Sequence, residues 1–199
     1  MQIIRMPTVV RVGSSPIQGI GVFAEKPFQA GETILTLDDS RSVDEAHPLG
    51  ADDDPRHCDY LEAGKVILMR SPERHINHSC DPNTYVRTIG GQRVVLARRE
   101  IQSEEEITYD YCINSSGDTV WNCDCGARRC RRVIHSDFFH LPLALQAEYL
   151  PLLDSWFRRE RMAEIAPGRK VVLDSEHFHS VTLRTIHRYG PNGNSFVPR

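Results

Sequence analysis

Along the first two thirds of the chain, apolar positions come in short β-branched runs separated by glycine and proline turns. Residues 8–12 form one such run and predict a strand. Gly13-Ser14-Ser15-Pro16 is a turn signal. Residues 18–24, QGIGVFA, carry two glycines one residue apart, a spacing that lets backbone approach a ligand closely. No third glycine follows at the required interval and no helix opens there, so this is not a dinucleotide fingerprint, and alone it reads as a plain turn. Residues 27–32 are a second turn and 33–37 a second strand. Residues 38–55 are acidic, contain proline and glycine, and lack periodicity. They read as a long loop or small insert, with Asp52-Asp53-Asp54 as solvated charge. Residues 66–69 read as a buried strand. Residues 84–87 and 93–97 flank Gly90-Gly91, a hairpin signal. After a polar connection, residues 107–111 predict another strand. The body is therefore many short strands with almost no helical periodicity.

The character switches after Arg132. Phe138, Phe139, Leu141, Leu145, Tyr149, Leu152, Leu153, Trp156 and Phe157 recur at near-helical spacing. Pro142 and Pro151 suit the first turns of two short helices. The stripe is expected to pack on the strand body. The end of the stretch 162–199 reads as a tail, with 171–173 a candidate strand; the spacing of His177, His179 and His187 is no ligand set.

Composition narrows the classes. A length of 199 residues suits one domain with an appendage, and 40% hydrophobic content supports a core. The net charge of −3 argues against a general polyanion-binding surface, although Arg128, Arg129, Arg131 and Arg132 cluster locally and read by default as solvated surface. No apolar run approaches the roughly 18 residues of a membrane span, and the N-terminus lacks the h-region of a secretory signal. The expectation is an intracellular protein, cytoplasmic or chromatin-associated.

Three stretches carry chemistry. Residues 74–83 read RHINHSCDPN, a polar segment whose side chains favour irregular backbone. Residues 104–111 read EEEITYDY. Residues 123–130 read CDCGARRC and hold three of the six cysteines, which points to a metal and a reducing compartment rather than disulfides. Structural zinc takes four ligands. Cys123, Cys125 and Cys130 supply three, and Cys80, Cys58, Cys112 and His135 compete for the fourth.

QGIGVFA, RHINHSCDPN and EEEITYDY, in that order, resemble the SET-domain protein lysine methyltransferases. CDCGARRCR is similar to the family's post-SET cysteine motif, in the wording of its trithorax-type members. The resemblance covers residue 8 to about 132. It implies a mainly β, β-clip type fold of short curled strands with a pseudoknot, to which a short helical C-terminal appendage is added. The expected organisation is a SET domain at 8–111, a post-SET zinc-binding segment at 112–134, a helical appendage at 135–165 and a tail at 166–199.

The family moves a methyl group from S-adenosylmethionine to a lysine amine. The lysine must first lose its proton, because its free pKa is about 10.4; a dry channel and a nearby sulfonium both favour the neutral amine. The rest is alignment. The resemblance implies that Tyr111 is the catalytic tyrosine, orienting the methyl with weak C–H···O contacts. It places Gln18, Gly19, Ile20, Gly21, Arg74, Asn77 and His78 at the cofactor, Asn77 partly by its side chain. Many members have arginine and a bulky aromatic where Gln18 and Ile20 stand, and an aromatic where His75 stands. Their usual glycine before the glutamates is Glu104 here, a turn variation. Tyr109 occupies the position that tunes the number of methyls added, and tyrosine there implies mainly monomethylation. Structural zinc would be held by Cys80, Cys123, Cys125 and Cys130. Trp121 either packs the zinc loop or flanks the adenine or caps the channel, and Asp110 is expected to satisfy local backbone. The implied partner is a protein or peptide lysine, histone tails being the family's best-known targets, with no membrane and no required nucleic acid. The rival readings are a non-catalytic SET module that binds a peptide or nucleic acid, and a zinc-ribbon interaction protein that binds no S-adenosylmethionine.

Overall fold

The computed structural model describes residues 9–161. The candidate strand at 171–173 and His177, His179 and His187 lie outside them. The described residues form two compact units. One comprises residues 9–38, Arg70–Asp110 and Asp124–Arg131; the other comprises Asp39–Met69, Tyr111–Cys123 and residues 132–161.

The first unit is built from two sheets. Strands β1 (Val10–Ser14) and β2 (Ile20–Ala24) form an antiparallel pair, with Val12 opposite Val22. Strand β10 (Glu106–Tyr109) adds antiparallel to β2, with Ile107 opposite Val22. On its other side β10 runs parallel to the two-residue strand β7 (Asn77–His78), giving the order β1-β2-β10-β7. The segment read as a plain turn therefore divides. Gly19, at φ +50°, makes the turn that glycine tolerates, and Ile20 to Ala24 continue as a strand. The second sheet has the order β3-β9-β8, from β3 (Thr33–Thr36), β8 (Thr84–Ile89) and β9 (Gln92–Ala97). The β8–β9 hairpin turns at Gly90-Gly91, both at positive φ, as their sequence signal predicts.

The core of this unit gathers Val22, Ala24, Phe28, Val95, Ile101 and Ile107, each no more than 1% exposed. Inner strands are covered on both faces, so apolar residues follow one another without alternation. The strand expected at 107–111 stops at Tyr109. Asp110 leaves the ladder, its buried carboxylate meeting Arg131. Asn83 ties the polar segment to β10: its Oδ1 accepts the Thr108 N–H at 2.8 Å and its Nδ2 donates to the Glu106 carbonyl at 2.8 Å.

The second unit contains the insert. Strands β4 (Ser42–Val43), β5 (Cys58–Tyr60) and β6 (Val66–Leu68) pair in the order β4-β6-β5. The loop at 44–53 is held by the Arg41 guanidinium, which donates to the carbonyls of Ser42, His47 and Pro48 at 2.6, 3.0 and 2.7 Å. Strands β11 (Ser116–Asn122) and β12 (Val133–Asp137) form an antiparallel pair that the apolar pattern did not announce, because Ser116, Gly117 and Asp118 interrupt it. Two short helices follow, α1 (Leu143–Tyr149) and α2 (Ser155–Glu160). Pro142 precedes α1 as expected. Pro151 instead sits in a 3-10 turn, and α2 opens four residues later at Ser155, where the Asp154 carboxylate caps the Trp156 N–H. The helical stripe is buried at Phe138, Leu141, Tyr149, Leu153 and Phe157. The end of α2 is fastened to the insert, since Glu160 accepts the Ala63 N–H at 2.9 Å and Arg159 pairs with Glu62.

Candidate functional site

The glycine loop, β7 and β10 meet in the first unit. Gly19 and Ile20 are exposed and Gly21 is buried. Beneath them lies Asn77, 1% exposed, whose Nδ2 lies 3.2 Å from the Gln18 carbonyl, 3.1 Å from the Ile20 carbonyl and 2.8 Å from Glu106 Oε1. The Asn77 amide is thereby tied to the loop backbone. Where the loop faces solvent it presents main chain and the open side of Gly19, around which an added Cβ would meet nothing within 4 Å. That suits a ligand held largely by backbone groups. Arg74, in contrast, is exposed, and its Nε donates to His75 Nε2 at 3.3 Å.

The parallel pairing of β7 and β10 sets Asn77 opposite Thr108 and His78 opposite Tyr109. The Ser79 N–H donates to the Tyr109 carbonyl at 3.1 Å and extends the pairing by one residue. His78 is 5% exposed; burial pushes its imidazole down to about 4, against the opposing pull of Asp110, whose Oδ1 lies 3.6 Å from His78 Nδ1. The ring is neutral at pH 7. Asp110 does more than satisfy local backbone: Arg131 donates to both of its oxygens. Tyr111 follows Asp110 directly and belongs to the second unit, where its ring centroid lies 6.1 Å from that of Trp121.

Cys80, Cys123, Cys125 and Cys130 bring their sulfurs within 4.8 Å of one another. Tetrahedral zinc with bonds of about 2.3 Å holds sulfurs roughly 3.8 Å apart, so the quartet fits such an ion with small adjustment, and four soft donors suit it chemically. Cys123 is the last residue before the first unit resumes at Asp124, so the local chain fixes its place beside Cys125. Backbone N–H groups face the sulfurs, from Cys80 to Cys125 Sγ at 3.4 Å and from Arg131 to Cys80 Sγ at 3.3 Å. Without a metal, burial pushes the Cys80 thiol up to about 12. Cys58, Cys112 and His135 are not part of the group. The Cys112 thiol instead donates to the His135 carbonyl at 3.1 Å.

Of the loop arginines, Arg131 departs from the expected solvated surface, whereas Arg129 stays exposed. Arg131 is committed to Asp110, and the Arg129 Nε donates to the Cys80 carbonyl at 3.1 Å while its guanidinium pairs with Asp81 at 3.1 Å. Sequence reasoning also left Ser15, Asn83 and Glu106 without a role, although all three contact the site segments.

Residues 19–112 match the SET domain family. The chain is 32% identical over 143 residues to the histone H3-lysine(4) N-trimethyltransferase ATX1 of Arabidopsis thaliana, a match covering 62% of this chain and 13% of that protein. It is 35% identical over the same length to the histone-lysine N-methyltransferase TRX1 of Oryza sativa subsp. japonica, again covering 62% and 13%. The chain thus spans about an eighth of the length of these relatives. Among solved structures it resembles KRYPTONITE in complex with mCHH DNA, H3(1-15) peptide and SAH, with a TM-score of 0.51 and 22% identity over 66% of this chain and 30% of that one. Among the described residues no helix is long and apolar enough to cross a membrane. The sheet order and the NHSCDPN and ITYDY segments agree with the SET domain match over residues 19–112.

Proposed function

We propose that this chain is an S-adenosylmethionine-dependent protein-lysine N-methyltransferase, acting mainly as a monomethyltransferase on a lysine of a histone or another protein. The observation that carries the reading is the in-register pairing of His78 with Tyr109, which joins NHSC to ITYDY one residue before the chain reaches Asp110 and Tyr111. Residues 112–134 serve as a post-SET segment, with Cys80, Cys123, Cys125 and Cys130 as ligands of structural zinc.

The cofactor supplies an already activated methyl group. The protein's share is binding, orientation and exclusion of water. Gln18, Gly19, Ile20 and Gly21 offer main chain to it, with Asn77 behind them and His78 the next residue along β7. Neutral His78 adds no positive charge that would repel a sulfonium. Tyr111 orients the methyl through its hydroxyl, and Tyr109 limits the room beside the amine. Arg74 completes the cofactor set, and an H3 tail is a reasonable first acceptor given the peptide named in the KRYPTONITE complex.

Methyl transfer from labelled S-adenosylmethionine tests the reading, with wild type and Tyr111→Phe compared on core histones and on a cell lysate. Labelled acceptor with wild type and its loss with Tyr111→Phe are expected. A wild type that neither transfers label nor binds the cofactor in calorimetry would replace this reading with a non-catalytic SET module.

A further inference from the structure

Ser15 and Glu106 lie 91 positions apart in the chain and meet beneath the glycine loop. The Ser15 hydroxyl is 2.8 and 2.9 Å from the two oxygens of the Glu106 carboxylate and donates to them. The same Oγ accepts the backbone N–H groups of Ile17 and Gln18 at 2.9 and 3.2 Å, and the Ser15 N–H donates to the Gly19 carbonyl at 3.0 Å. Asn77 Nδ2 closes the arrangement, at 2.8 Å from Glu106 Oε1 and 3.1 Å from Ser15 Oγ. A Cβ added to Gly21 would run into the Glu106 carboxylate and come within 3.0 Å of the Ser15 Cβ, so the carboxylate fills the room under the loop.

Two features separate this brace from ordinary core packing. First, the part of the loop it supports, Gly19 and Ile20, is exposed and gains little from burial, Ile20 being paired only at the strand end opposite Ser14, whereas Val22 and Ile107 pair with each other and are 0% exposed. Second, among the described residues the partners of the Glu106 carboxylate are neutral donors. Its contribution is therefore hydrogen-bond geometry.

We infer that Ser15 and Glu106 are positioning residues for S-adenosylmethionine, holding the exposed main chain of the glycine loop where the cofactor meets it. The inference rests on the methyltransferase reading of the site. Neither residue touches the reacting atoms; both act through the loop carbonyls and Asn77. Removing either loosens the loop while the sheet beneath keeps its pairing.

Calorimetric titration with S-adenosylhomocysteine tests this on the full chain, using wild type, Ser15→Ala, Glu106→Ala and Glu106→Gln, each checked by thermal melting. Loss of one or two net hydrogen bonds predicts binding weaker by about five- to tenfold in Ser15→Ala and Glu106→Ala. Glu106→Gln keeps in the same shape the one acceptor oxygen that Ser15 and Asn77 both reach, replacing only the second oxygen by an amide NH2, and is expected to stay within about twofold of wild type. On core histones the two alanine variants raise the KM for S-adenosylmethionine and leave kcat and the acceptor's KM unchanged, a split that general loss of fold would not produce. Alanine variants that bind as tightly as a binding-competent wild type would overturn the inference. So would a Glu106→Gln variant as weak as Glu106→Ala, since charge and not geometry would then be at work. Failure of wild type itself to bind would remove the methyltransferase reading, and the inference with it.

Discussion

Arg131 grips Asp110 with both terminal guanidinium nitrogens, at 2.7 and 2.9 Å, and the carboxylate it holds is 0% exposed. The pair joins the cysteine loop to the residue just before Tyr111. Breaking a buried pair from one side leaves an uncompensated charge. Arg131→Met is therefore expected to cost about 3–5 kcal/mol, and the double change Asp110→Asn with Arg131→Met to recover a large part of it. Urea unfolding at saturating zinc checks this, since metal occupancy alters apparent stability. A single variant as stable as wild type would mean that the carboxylate has another partner of equal worth.

Zinc should be a folding component of the cysteine loop. The Cys80 thiol is neutral at pH 7 when bare, so binding the metal must expel protons. Treatment with a chelator is expected to release about one zinc per chain and to open residues 123–131 to protease, and Cys80→Ser to do the same without chelator. Cys112→Ser should keep its zinc, because Cys112 lies outside the quartet. Metal analysis showing well under one zinc per wild-type chain would count against the site.

Much of this was legible in the sequence, and what was not has a physical reason. Gly90-Gly91 announced its hairpin because positive φ at two successive positions needs such residues. The cysteine quartet was readable by resemblance, while spacing alone left four candidates for the fourth ligand. Arg131 reads as surface in the sequence because nothing in a run of arginines says which one finds a buried carboxylate 21 positions back. Ser15 and Glu106 were invisible for the same reason: their meaning lies in a contact across 91 residues. The β11–β12 ribbon escaped because its strands are half exposed and interrupted by polar residues, which erases the alternation that marks a strand.

Glu104 stands where the related motif has glycine, and its φ of +68° explains why glycine suits that position. A non-glycine residue in this conformation costs about 1–2 kcal/mol. Glu104→Gly relieves that cost but loses the exposed ion pair with Arg11 and adds freedom to the unfolded chain. The net change is expected within about 1 kcal/mol of zero. Glu104→Val, β-branched at positive φ, should be clearly less stable than Glu104→Gly. Melting curves of the two variants side by side give the comparison, and a valine variant equal to the glycine variant would mean that the turn shifts to a different conformation.

Tyr109 offers the most direct test of product choice. It is half-buried, it packs against the core that includes Ile107, and its backbone is fixed on the β7 side by pairing with His78 and by the Ser79 N–H. Replacing it with phenylalanine keeps the ring and that backbone pairing and removes only the hydroxyl. If the hydroxyl holds a water beside the acceptor amine, wild type adds one methyl and then stalls, because a methylated amine needs the space that the water fills. Tyr109→Phe frees that space and should shift early product from monomethyl to dimethyl lysine, with little change in the rate of the first transfer. Intact-mass measurement on a peptide acceptor at low conversion separates these outcomes. Trimethyl product as the main early species from wild type would show that the hydroxyl does not limit the channel.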